Sequence, residues 1–523
     1  TDIPYRLPLT YNNEEHIVKI VQSGDIIQDS TQAEIDSAQS GFQSSFHAWQ
    51  YFYDHIAVPI KQHLENTFVN GVPLKETIRY IVLCKGIPFK IQAMGDWSGI
   101  NTPQKNVSLQ SLLSLLNNEP YLTTLEDLYS TPINRENPYN MKNNDNYYYL
   151  DYRFLPDFYV NPAGRKLSYL VTRLDGLSYS DVVQMIDNAV NADTSGQRTW
   201  ILDAAATGFG ASSAAADLLN LLEFEVYYDE TSEYITNNQL FNNNQVICYQ
   251  SGGHNSGMPE GYIQNLLTFS YAPGAVFNTF ESFNGNSFGE ITRRAEHGLL
   301  TEFIKKGGTG GLCYPWEPGG STSNCITGGN IFFPAYALGY NLVDAIYMNM
   351  PNLFFQNVIA GDPLTRIYKV YPKNTIASDT TITSGDIEGI KIIVPQGRTL
   401  TIASGSVINF KRNAQLVVHG NIIIEPDVEL HFKAMSRFSI NSATFDNTIV
   451  LDFSDYSIFQ INDDLTLGEN FILNLFDNSK VVSNKLTFNS DFTINFYNGS
   501  KLIAEDVTIE GNPNLNFYNS SSF

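Results

Sequence analysis

Two residues with the chemistry of a hydrolase follow two strand-like segments of this chain. His254 comes after the apolar run "VICYQSGG", and Ser282 comes after the next apolar run, "GAVFNTFE". If the two runs are neighbouring parallel strands, both side chains leave the sheet at its carboxyl edge, where open α/β sheets hold their ligands. A serine hydroxyl beside an imidazole base is one arrangement for nucleophilic catalysis. The pattern therefore makes His254 and Ser282 the candidate catalytic residues.

A dyad of this kind needs an acid to orient the histidine. Glu260 and Glu281 are the nearest acids in the sequence, and Asp203 ends a further strand-like run, "WILDAAATG". A structural interpretation stays open beside the catalytic one. In it, His254 hydrogen-bonds within its own turn and Ser282 caps the following helix.

The segments around these residues predict an α/β domain. From residue 77 to about 350, strand-like runs alternate with helical patterns, and most of the runs are continuously apolar, as is typical of strands covered on both faces. We therefore expect a mostly parallel sheet with helices on both faces in a domain spanning residues 1–371. The segment before residue 77 leads in with a strand and a helical stretch near 32–65. The strand-like runs are "IRYIVLCKGIPF", "LSYLVTRLDG", "RTWILDAAATG", "FEVYYDE", "NQVICYQSGG", "GAVFNTFES" and "TGGLCYPWEP".

Three segments carry the clearest helical spacing. Residues 180–192 repeat apolar side chains at helical intervals, with Ser180 placed to cap the first turn. Residues 211–223 and 293–306 follow the same rule. The glycine-rich run "KKGGTGG" follows the last of these segments and precedes a strand, so it predicts a helix C-cap and not a phosphate-binding loop.

Beyond residue 371 a different regularity begins. Apolar-polar-apolar triplets recur at intervals of 22, 21, 22, 21 and 21 residues. Two further apolar series keep the same step, about eight residues upstream and about eight residues downstream. The triplets are Ile408-Asn409-Phe410, Leu430-His431-Phe432, Leu451-Asp452-Phe453, Leu473-Asn474-Leu475, Ile494-Asn495-Phe496 and Leu515-Asn516-Phe517. The upstream series is Leu400, Ile422, Ala443, Leu465, Leu486 and Val507; the downstream series is Leu416, Phe438, Phe459, Val481 and Leu502.

This register predicts a β-solenoid of about six coils over residues 372–523, with three strands in each coil. The outer residues of each triplet point inward and the middle residue faces solvent, because strand side chains alternate between faces. A sandwich or barrel is the alternative, but nothing in such a fold maintains a fixed interval over six cycles. The last coil, "VTIEGNPNLNFYNSSSF", has no capping helix or charged segment, so we expect it to add to the edge of another copy.

Composition narrows the function classes. Lys and Arg number 31 against 54 Asp and Glu, and the net charge of −23 disfavours a nucleic-acid partner. No apolar stretch reaches the roughly 20 residues of a membrane span, so we expect no membrane insertion. The chain begins with Thr1 and is poor in charge but rich in Asn, Ser, Thr and Tyr, which favours an extracellular or cell-surface protein that has lost a leader peptide.

No cofactor is expected. Cys313 and Cys325 bracket a turn-rich loop that could close as a disulfide, whereas Cys84 and Cys248 lie in apolar runs and are expected to be buried thiols. The tract at 140–162 mixes carboxylates, amides and tyrosines, which would suit calcium or a surface glycan, but its spacing matches no calcium loop.

Two shorter patterns have structural interpretations. Arg173 and Asp175 in "TRLDG" could bind a substrate, but an ion pair that fixes a strand end is the preferred interpretation. Asp362 and Pro363 in "GDP" predict a turn.

The spacing of His254 and Ser282 resembles that of the caspase-like and gingipain-like cysteine peptidases. In those proteins a His-Gly turn and a Cys turn end consecutive parallel strands, and "SFNGNSFGE" is similar to the gingipain segment after the nucleophile. The runs "YIVLCKGIPF", "YLVTRLDG", "PGAVFNTFESF" and "AGDPLTRIY" resemble an uncharacterised secreted family of exosortase-bearing bacteria with a caspase-like core. The resemblance covers about residues 1–370. It departs from the peptidase pattern at Ser282, which replaces the cysteine, and at Asn255, which replaces a glycine.

These observations lead to a functional expectation with an open alternative. The expected protein is a cell-surface structural protein that self-assembles with its own copies into a filament, sheath or surface layer, and its caspase-like domain is degenerate. The alternative is a secreted peptidase-like hydrolase with Ser282 as nucleophile and His254 as base. Adhesion to surface glycans through the tyrosine-rich tract is a third, less supported possibility.

Overall fold

The computed structural model describes most of the chain, with gaps. The described residues are 6–11, 14–19, 52–85, 87, 89–92, 106–117, 136–140, 167–194, 198–203, 213–222, 224–231, 233–237, 245–253, 257–259, 261–281, 284–285, 288, 299–314, 328–353, 357–367, 373–445, 448–467, 470–488, 492–510 and 512–522. The chain divides into two compact units. The first comprises residues 1–219 and 224–368, and the second comprises residues 369–523 with the short segment 220–223.

The first unit combines strands with short helices. Its strands are β1 (Arg6–Tyr11), β2 (Glu14–Lys19), β3 (Phe68–Val69), β4 (Val72–Pro73), β5 (Tyr80–Cys84), β6 (Lys90–Gln92), β7 (Asn106–Ser108), β8 (Leu170–Leu174), β9 (Thr199–Asp203), β10 (Glu225–Asp229), β11 (Val246–Ser251), β12 (Tyr271–Thr279), β13 (Gly310–Cys313) and β14 (Val358–Ala360). Its helices are a π-helical turn (Tyr53–Ala57), α1 (Val58–Asn66), α2 (Leu74–Thr77), α3 (Leu109–Ser114), α4 (Tyr179–Val190), α5 (Ser213–Leu221), α6 (Tyr262–Asn265), α7 (Leu299–Lys305), α8 (Phe332–Ala337) and α9 (Leu342–Asn349).

An eight-stranded sheet forms the centre of this unit, with the order β10-β9-β11-β12-β13-β14-β8-β5. Strands β9 to β13 pair in parallel, as do β5 and β8, whereas β14 is antiparallel to β13. Each of the seven predicted strand-like runs contains one of these strands, so the α/β class with a mostly parallel sheet is confirmed. The sequence did not reveal β14, because three residues are too few to show a period.

Helices α4 and α5 agree with the predicted segments except in one cap, and α7 covers the end of the segment 293–306, whose first residues lie outside the described residues. Helix α4 begins one residue before the predicted start, and Ser178, not Ser180, is its N-cap: the Ser178 side chain accepts from Asp181 N, and the Asp181 side chain accepts from Ser178 N. The prediction of Ser180 was wrong because an N-cap needs the extended backbone that Ser178 has. At the end of α7, Gly307 has φ +102° and Gly308 N donates to Phe303 O at 2.9 Å, which confirms the predicted C-cap.

The predicted lead-in lies partly outside the described residues. Strands β1 and β2 form an antiparallel pair in place of the single expected strand. The π-helical turn and α1 cover the end of the helical stretch expected near 32–65. The predicted turn at Asp362 is confirmed, since Leu364 N donates to its carboxylate at 2.8 Å.

The second unit consists of short parallel strands. They are β15 (Lys373–Thr375), β16 (Thr380–Ile382), β17 (Gly385–Glu388), β18 (Lys391–Val394), β19 (Thr399–Ile402), β20 (Val407–Lys411), β21 (Gln415–Val418), β22 (Asn421–Ile424), β23 (Val428–Phe432), β24 (Arg437–Ile440), β25 (Ala443–Phe445), β26 (Ile449–Phe453), β27 (Ile458–Leu467), β28 (Phe471–Leu475), β29 (Lys480–Phe488), β30 (Thr493–Phe496), β31 (Lys501–Ile509) and β32 (Asn514–Phe517).

These strands stack into three sheets. The triplet sheet contains β17-β20-β23-β26-β28-β30-β32, the long-strand sheet contains β15-β18-β21-β24-β27-β29-β31 with β25 paired to β27, and the short sheet contains β16-β19-β22. Pairing follows the predicted triplets: Leu430 lies opposite Leu451, and Leu451 lies opposite Leu473. The unit is therefore a solenoid-like stack of parallel strands, and we call each successive level a rung.

The stack differs from the predicted coils in two ways. The triplet sheet has a seventh, earlier rung, which the sequence hides because Gly385 replaces the first apolar residue of the triplet Gly385-Asp386-Ile387. Three strands per coil is correct only for the first four rungs. Strands β27, β29 and β31 run continuously where the earlier rungs have two strands each, because their corners contain extended residues such as Asn484 in place of Pro395, Gly397 and Gly420.

The interior of the stack is apolar, and the rings inside it are layered. Phe432 lies between Phe410 and Phe453, with ring centroids 4.4 and 4.8 Å away, and all three side chains are buried. Two consecutive left-handed residues turn the chain after the triplet of each of the six predicted rungs, for example Asp477 and Asn478, whereas the earlier seventh rung has only Gly389 in this conformation.

Candidate functional site

The two strands that lead to the candidate catalytic residues are neighbours. Strands β11 and β12 pair in parallel, and Ser251 lies opposite Thr279 at their carboxyl ends. His254 and Ser282 each follow three residues later, so the predicted juxtaposition of the strand ends is confirmed. His254 and Ser282 themselves lie outside the described residues, as do Glu260 and Asn255.

A buried carboxyl group lies against the backbone just before His254. Gly253 has φ +58°, and a Cβ built on it would lie 1.9 Å from Oε2 of Glu281. Only glycine fits this position, because it accepts both the left-handed backbone and the close carboxyl group. Glu281 is completely buried. Of the two predicted acids that the structure describes, Asp203 and Glu281, it is therefore Glu281 that contacts the histidine turn.

A hydroxyl pair fixes the same turn. Ser251 Oγ accepts from Gly253 N at 3.2 Å and lies 3.0 Å from the Tyr262 hydroxyl. Burial raises the pKa of Tyr262, and the nearby charges of Tyr249 and Glu281 raise it further. Tyr262 is thus a neutral hydrogen-bonding group that holds the end of β11. The sequence missed Tyr262 because it lies on a four-residue helix within a polar loop.

The segment after β12 is tied to the end of β13. Asn284 Nδ2 donates to Thr279 Oγ1 at 2.7 Å, and Asn284 Oδ1 accepts from Tyr314 N at 2.6 Å. Gly285 N donates back to Tyr314 O at 3.1 Å. These bonds hold the described residues that follow Ser282, so the buried Asn284 is a positioning residue, which the sequence analysis did not single out.

Asp203 serves a different part of the sheet edge. Its carboxylate accepts from Ile235 N at 2.9 Å, and its charge adds to the burial that raises the pKa of Tyr249. These contacts fix the loop after β10, and the role of Asp203 as an orienting acid stays a prediction because His254 lies outside the described residues.

Arg173 and Asp175 form the ion pair that the sequence predicted. Both side chains are fully buried, with Asp175 Oδ2 at 2.8 Å from Arg173 Nη2 and 3.1 Å from Nε. The guanidinium lies 3.7 Å from the ring centroid of Phe89. Lys85, which the sequence did not single out, joins three segments: it lies 3.5 Å from Asp175 Oδ1 and donates to Gly176 O and to Phe288 O. The cluster fixes the ends of β5 and β8 against the chain after β12.

The cysteines correct two expectations. Cys313 is a free, buried thiol that donates to Val358 O at 3.4 Å, so its disulfide with Cys325 is not formed. Burial raises the pKa of Cys313, which makes it unreactive. Cys248 is buried as predicted, but Cys84 is exposed. The prediction for Cys84 was wrong because β5 is the edge strand of the sheet.

Comparisons of the chain with protein-family models, curated proteins and solved structures found no match. Among the described residues, no helix has both the length and the hydropathy of a membrane span. The same part of the chain contains no group of three His, Cys, Asp or Glu side chains arranged to hold a metal ion. Most of the tract at 140–162, considered for calcium or glycans, lies outside it.

Proposed function

We propose that this protein is an extracellular or cell-surface structural protein that assembles with copies of itself into a filament, sheath or surface layer. The observation that carries the proposal is the equivalence of the rungs in the triplet sheet. Asn516 donates to Asn495 at 2.8 Å, and Asn495 donates to Asn474 at 2.7 Å, so the same contact joins successive rungs. A rung that is complementary to its own neighbours is also complementary to a similar rung of another copy.

The outermost described rung supports this proposal. Phe517 stacks on Phe496 with ring centroids 4.6 Å apart, but it is 46 % exposed, whereas Phe496 is buried. Ile509 on β31 is 50 % exposed. Stacking of a second copy would bury this apolar surface at about 25 cal/mol per Å² and would pair the strand edges.

The proposal includes finer assignments of fold. We assign the second unit as a β-solenoid because its register repeats at the nearly constant interval of the triplets. We assign the first unit a degenerate caspase-like fold with helices on both faces of its sheet, because His254 and Ser282 follow adjacent parallel strands. The assignment to the surface of the cell rests on composition.

Assembly is tested with purified protein by sedimentation velocity and electron microscopy over a range of concentrations. We expect polymers in the wild type, and Phe517→Asp should raise the concentration needed for assembly at least tenfold, because it places a charge on the exposed ring position. Val407→Asp is the matched control, since Val407 is 40 % exposed on an interior rung and should have no effect. Wild-type protein that stays monomeric at every concentration contradicts the proposal.

One observation favours the hydrolase as a second candidate. The buried carboxyl group of Glu281 touches the turn before His254, which is where an orienting acid would act. This candidate predicts that a fluorophosphonate probe labels Ser282, that Ser282→Ala abolishes labelling, and that Glu281→Gln slows it at least tenfold. A probe that leaves Ser282 unmodified, while modifying a control serine hydrolase, excludes this function.

A further inference from the structure

The upstream apolar series is interrupted once in the structure. Leu400 lies opposite Ile422, and Ala443 lies opposite Leu465, as the series predicts. The pairing between Ile422 and Ala443 is not made: β22 is the last strand of the short sheet, and β25 pairs with β27. We call the space between these two described strands the gap.

The gap is confined to one side of the stack. On the other two sides the same rungs stay paired, with Val418 opposite Ile440 between β21 and β24 and Leu430 opposite Leu451 between β23 and β26. The rungs therefore do not separate as a whole. One side opens while its neighbours hold the spacing fixed.

The corners of the two rungs explain the opening. At the corner before β22, Gly420 N donates to Val394 O at 3.0 Å, and a Cβ on Gly420 would lie 2.3 Å from Pro395 O, so this corner presses on the preceding rung. At the corner before β25, Asn441 Oδ1 accepts from Asn462 Nδ2 at 3.1 Å, so this corner is bound to the following rung. Strand β22 is therefore held towards the rung before it, and β25 is held towards the rung after it.

The opening exposes residues whose equivalents on other interior rungs are buried. Ile422 and Ala443 are only partly buried, whereas Leu400, Leu465 and Leu486 are buried. Val507, on the outermost described rung, is also partly buried. An open cleft of about 480 Å³ lies here. The described residues of its lining include five neutral polar residues and no charged side chain; the five are Thr399, Asn421, Ser442, Thr444 and Thr466.

The outward-facing side chains that follow the upstream series also change character beside the gap. Thr444, Thr466, Thr487 and Thr508 lie opposite one another on successive rungs, and Thr381 lies opposite Thr401. Ile423 stands at this position on β22 and is 51 % exposed. An exposed isoleucine in a row of threonines, beside a strand edge and two partly buried core residues, has the composition of a binding surface.

We infer that the gap binds one extended polypeptide strand of a partner protein, inserted between β22 and β25. A strand with neutral side chains would satisfy both facing edges with backbone hydrogen bonds. One apolar side chain of that strand would point inward and cover Ile422 and Ala443, while its polar neighbours would face outward beside Thr444. A glycan has no repeating N–H and C=O groups to pair with both strand edges, and it has no alkyl side chain to reach the inner face. The inference is independent of the proposed self-assembly.

The probe is an end-blocked fluorescent peptide, NSLTLS, whose leucines and threonine follow the alternation of the stack. We expect saturable binding by fluorescence anisotropy, and at least tenfold weaker binding of NSLPLS, because proline removes a backbone donor. Ala443→Leu should fill the inner face and weaken binding at least tenfold. Ala504→Leu is the matched control, since Ala504 is a partly buried core alanine away from the gap, and its binding should be unchanged.

Three outcomes overturn the inference. The first is no saturable binding of NSLTLS up to millimolar concentration to wild-type protein whose fold is verified by circular dichroism. The second is equal binding of the proline peptide. The third is displacement of NSLTLS by neutral oligosaccharides such as cellohexaose, which would assign the gap to carbohydrate.

Discussion

Buried polar groups in the α/β unit each have their own arrangement, whereas the solenoid-like unit repeats one arrangement on successive rungs. In the first unit, Asp344 on α9 accepts hydrogen bonds from the hydroxyls of Tyr139 and Tyr80, which come from two separate segments of the chain. Burial raises the pKa of Asp344, although both hydroxyls act to lower it. In the second unit, Asn474 and Asn495 each accept a hydrogen bond from the asparagine at the same position on the next rung.

This difference predicts how the stability of each unit responds to amino-acid substitutions. A residue such as Arg173 has no substitute, because its partner Asp175 is buried with it. A residue of the stack has neighbours of the same kind, so its loss depends on how many rungs lie above and below it. The first unit should therefore show a few large mutational effects, and the second a gradient along the stack.

The largest effect is expected at Arg173. Arg173→Met removes both hydrogen bonds to Asp175 Oδ2 and leaves the buried carboxylate with only the longer contact to Lys85, so we expect unfolding free energy to fall by about 3–5 kcal/mol in urea titrations. The double variant Arg173→Met with Asp175→Asn should recover much of this loss, because it removes the poorly paired buried charge. A double variant as unstable as the single one would contradict the interpretation that the pair is structural.

A core leucine of the stack should have the next largest effect. Leu473 is buried between Leu451 and Ile494, and Leu473→Ala should cost about 3 kcal/mol through the cavity it leaves. Leu515 stands at the same position on the outermost described rung and is only partly buried, so Leu515→Ala should cost about 1 kcal/mol. Equal losses of unfolding free energy would mean that position along the stack is irrelevant.

Much of the second unit could be predicted from its sequence, and the reason is the repeat. Six triplets fix the pairing partner of each strand, so Leu430 and Leu451 could be matched without a structure. The gap could not be predicted, because Ile422 and Ala443 keep the regular interval of their series while their corners pull apart. The number of residues between members of the series gives the length of chain in a rung, but it does not determine the path of the backbone.

The candidate site was predictable only to the level of its strands. Apolar runs indicate β11 and β12, and the parallel order follows from the helices between strands. The contact between Gly253 and Glu281 depends on a left-handed glycine and a buried carboxyl group, and neither has a periodic signal. Lys85 was missed for the same reason, since its three acceptors come from separate segments.

An intermediate effect is expected in the polar ladder of the triplet sheet. Asn474 Nδ2 donates to Asp452 Oδ1 at 2.7 Å. Asn474→Asp removes this donor and sets two carboxylates side by side, so we expect a loss of about 1–3 kcal/mol at pH 7 that shrinks below about pH 4. Asn516→Asp is the control, because its neighbour on the ladder is the neutral Asn495. The two variants should differ by at least about 1 kcal/mol in urea titrations.

The smallest effect is a pH dependence at His431, which lies next to Asp452 in the same ladder. The hydrogen bond to Asp452, at 2.8 Å from Nδ1, raises the pKa of His431 above its usual value. The charged pair therefore stabilises the fold fully below about pH 6.5, and this contribution is lost as the pH rises through the raised pKa. We expect at most about 1 kcal/mol, because both side chains are partly solvated. His431→Gln should abolish this slope in urea titrations between pH 5 and pH 9, and a slope that persists would show that the ladder holds Asp452 without help from the imidazolium.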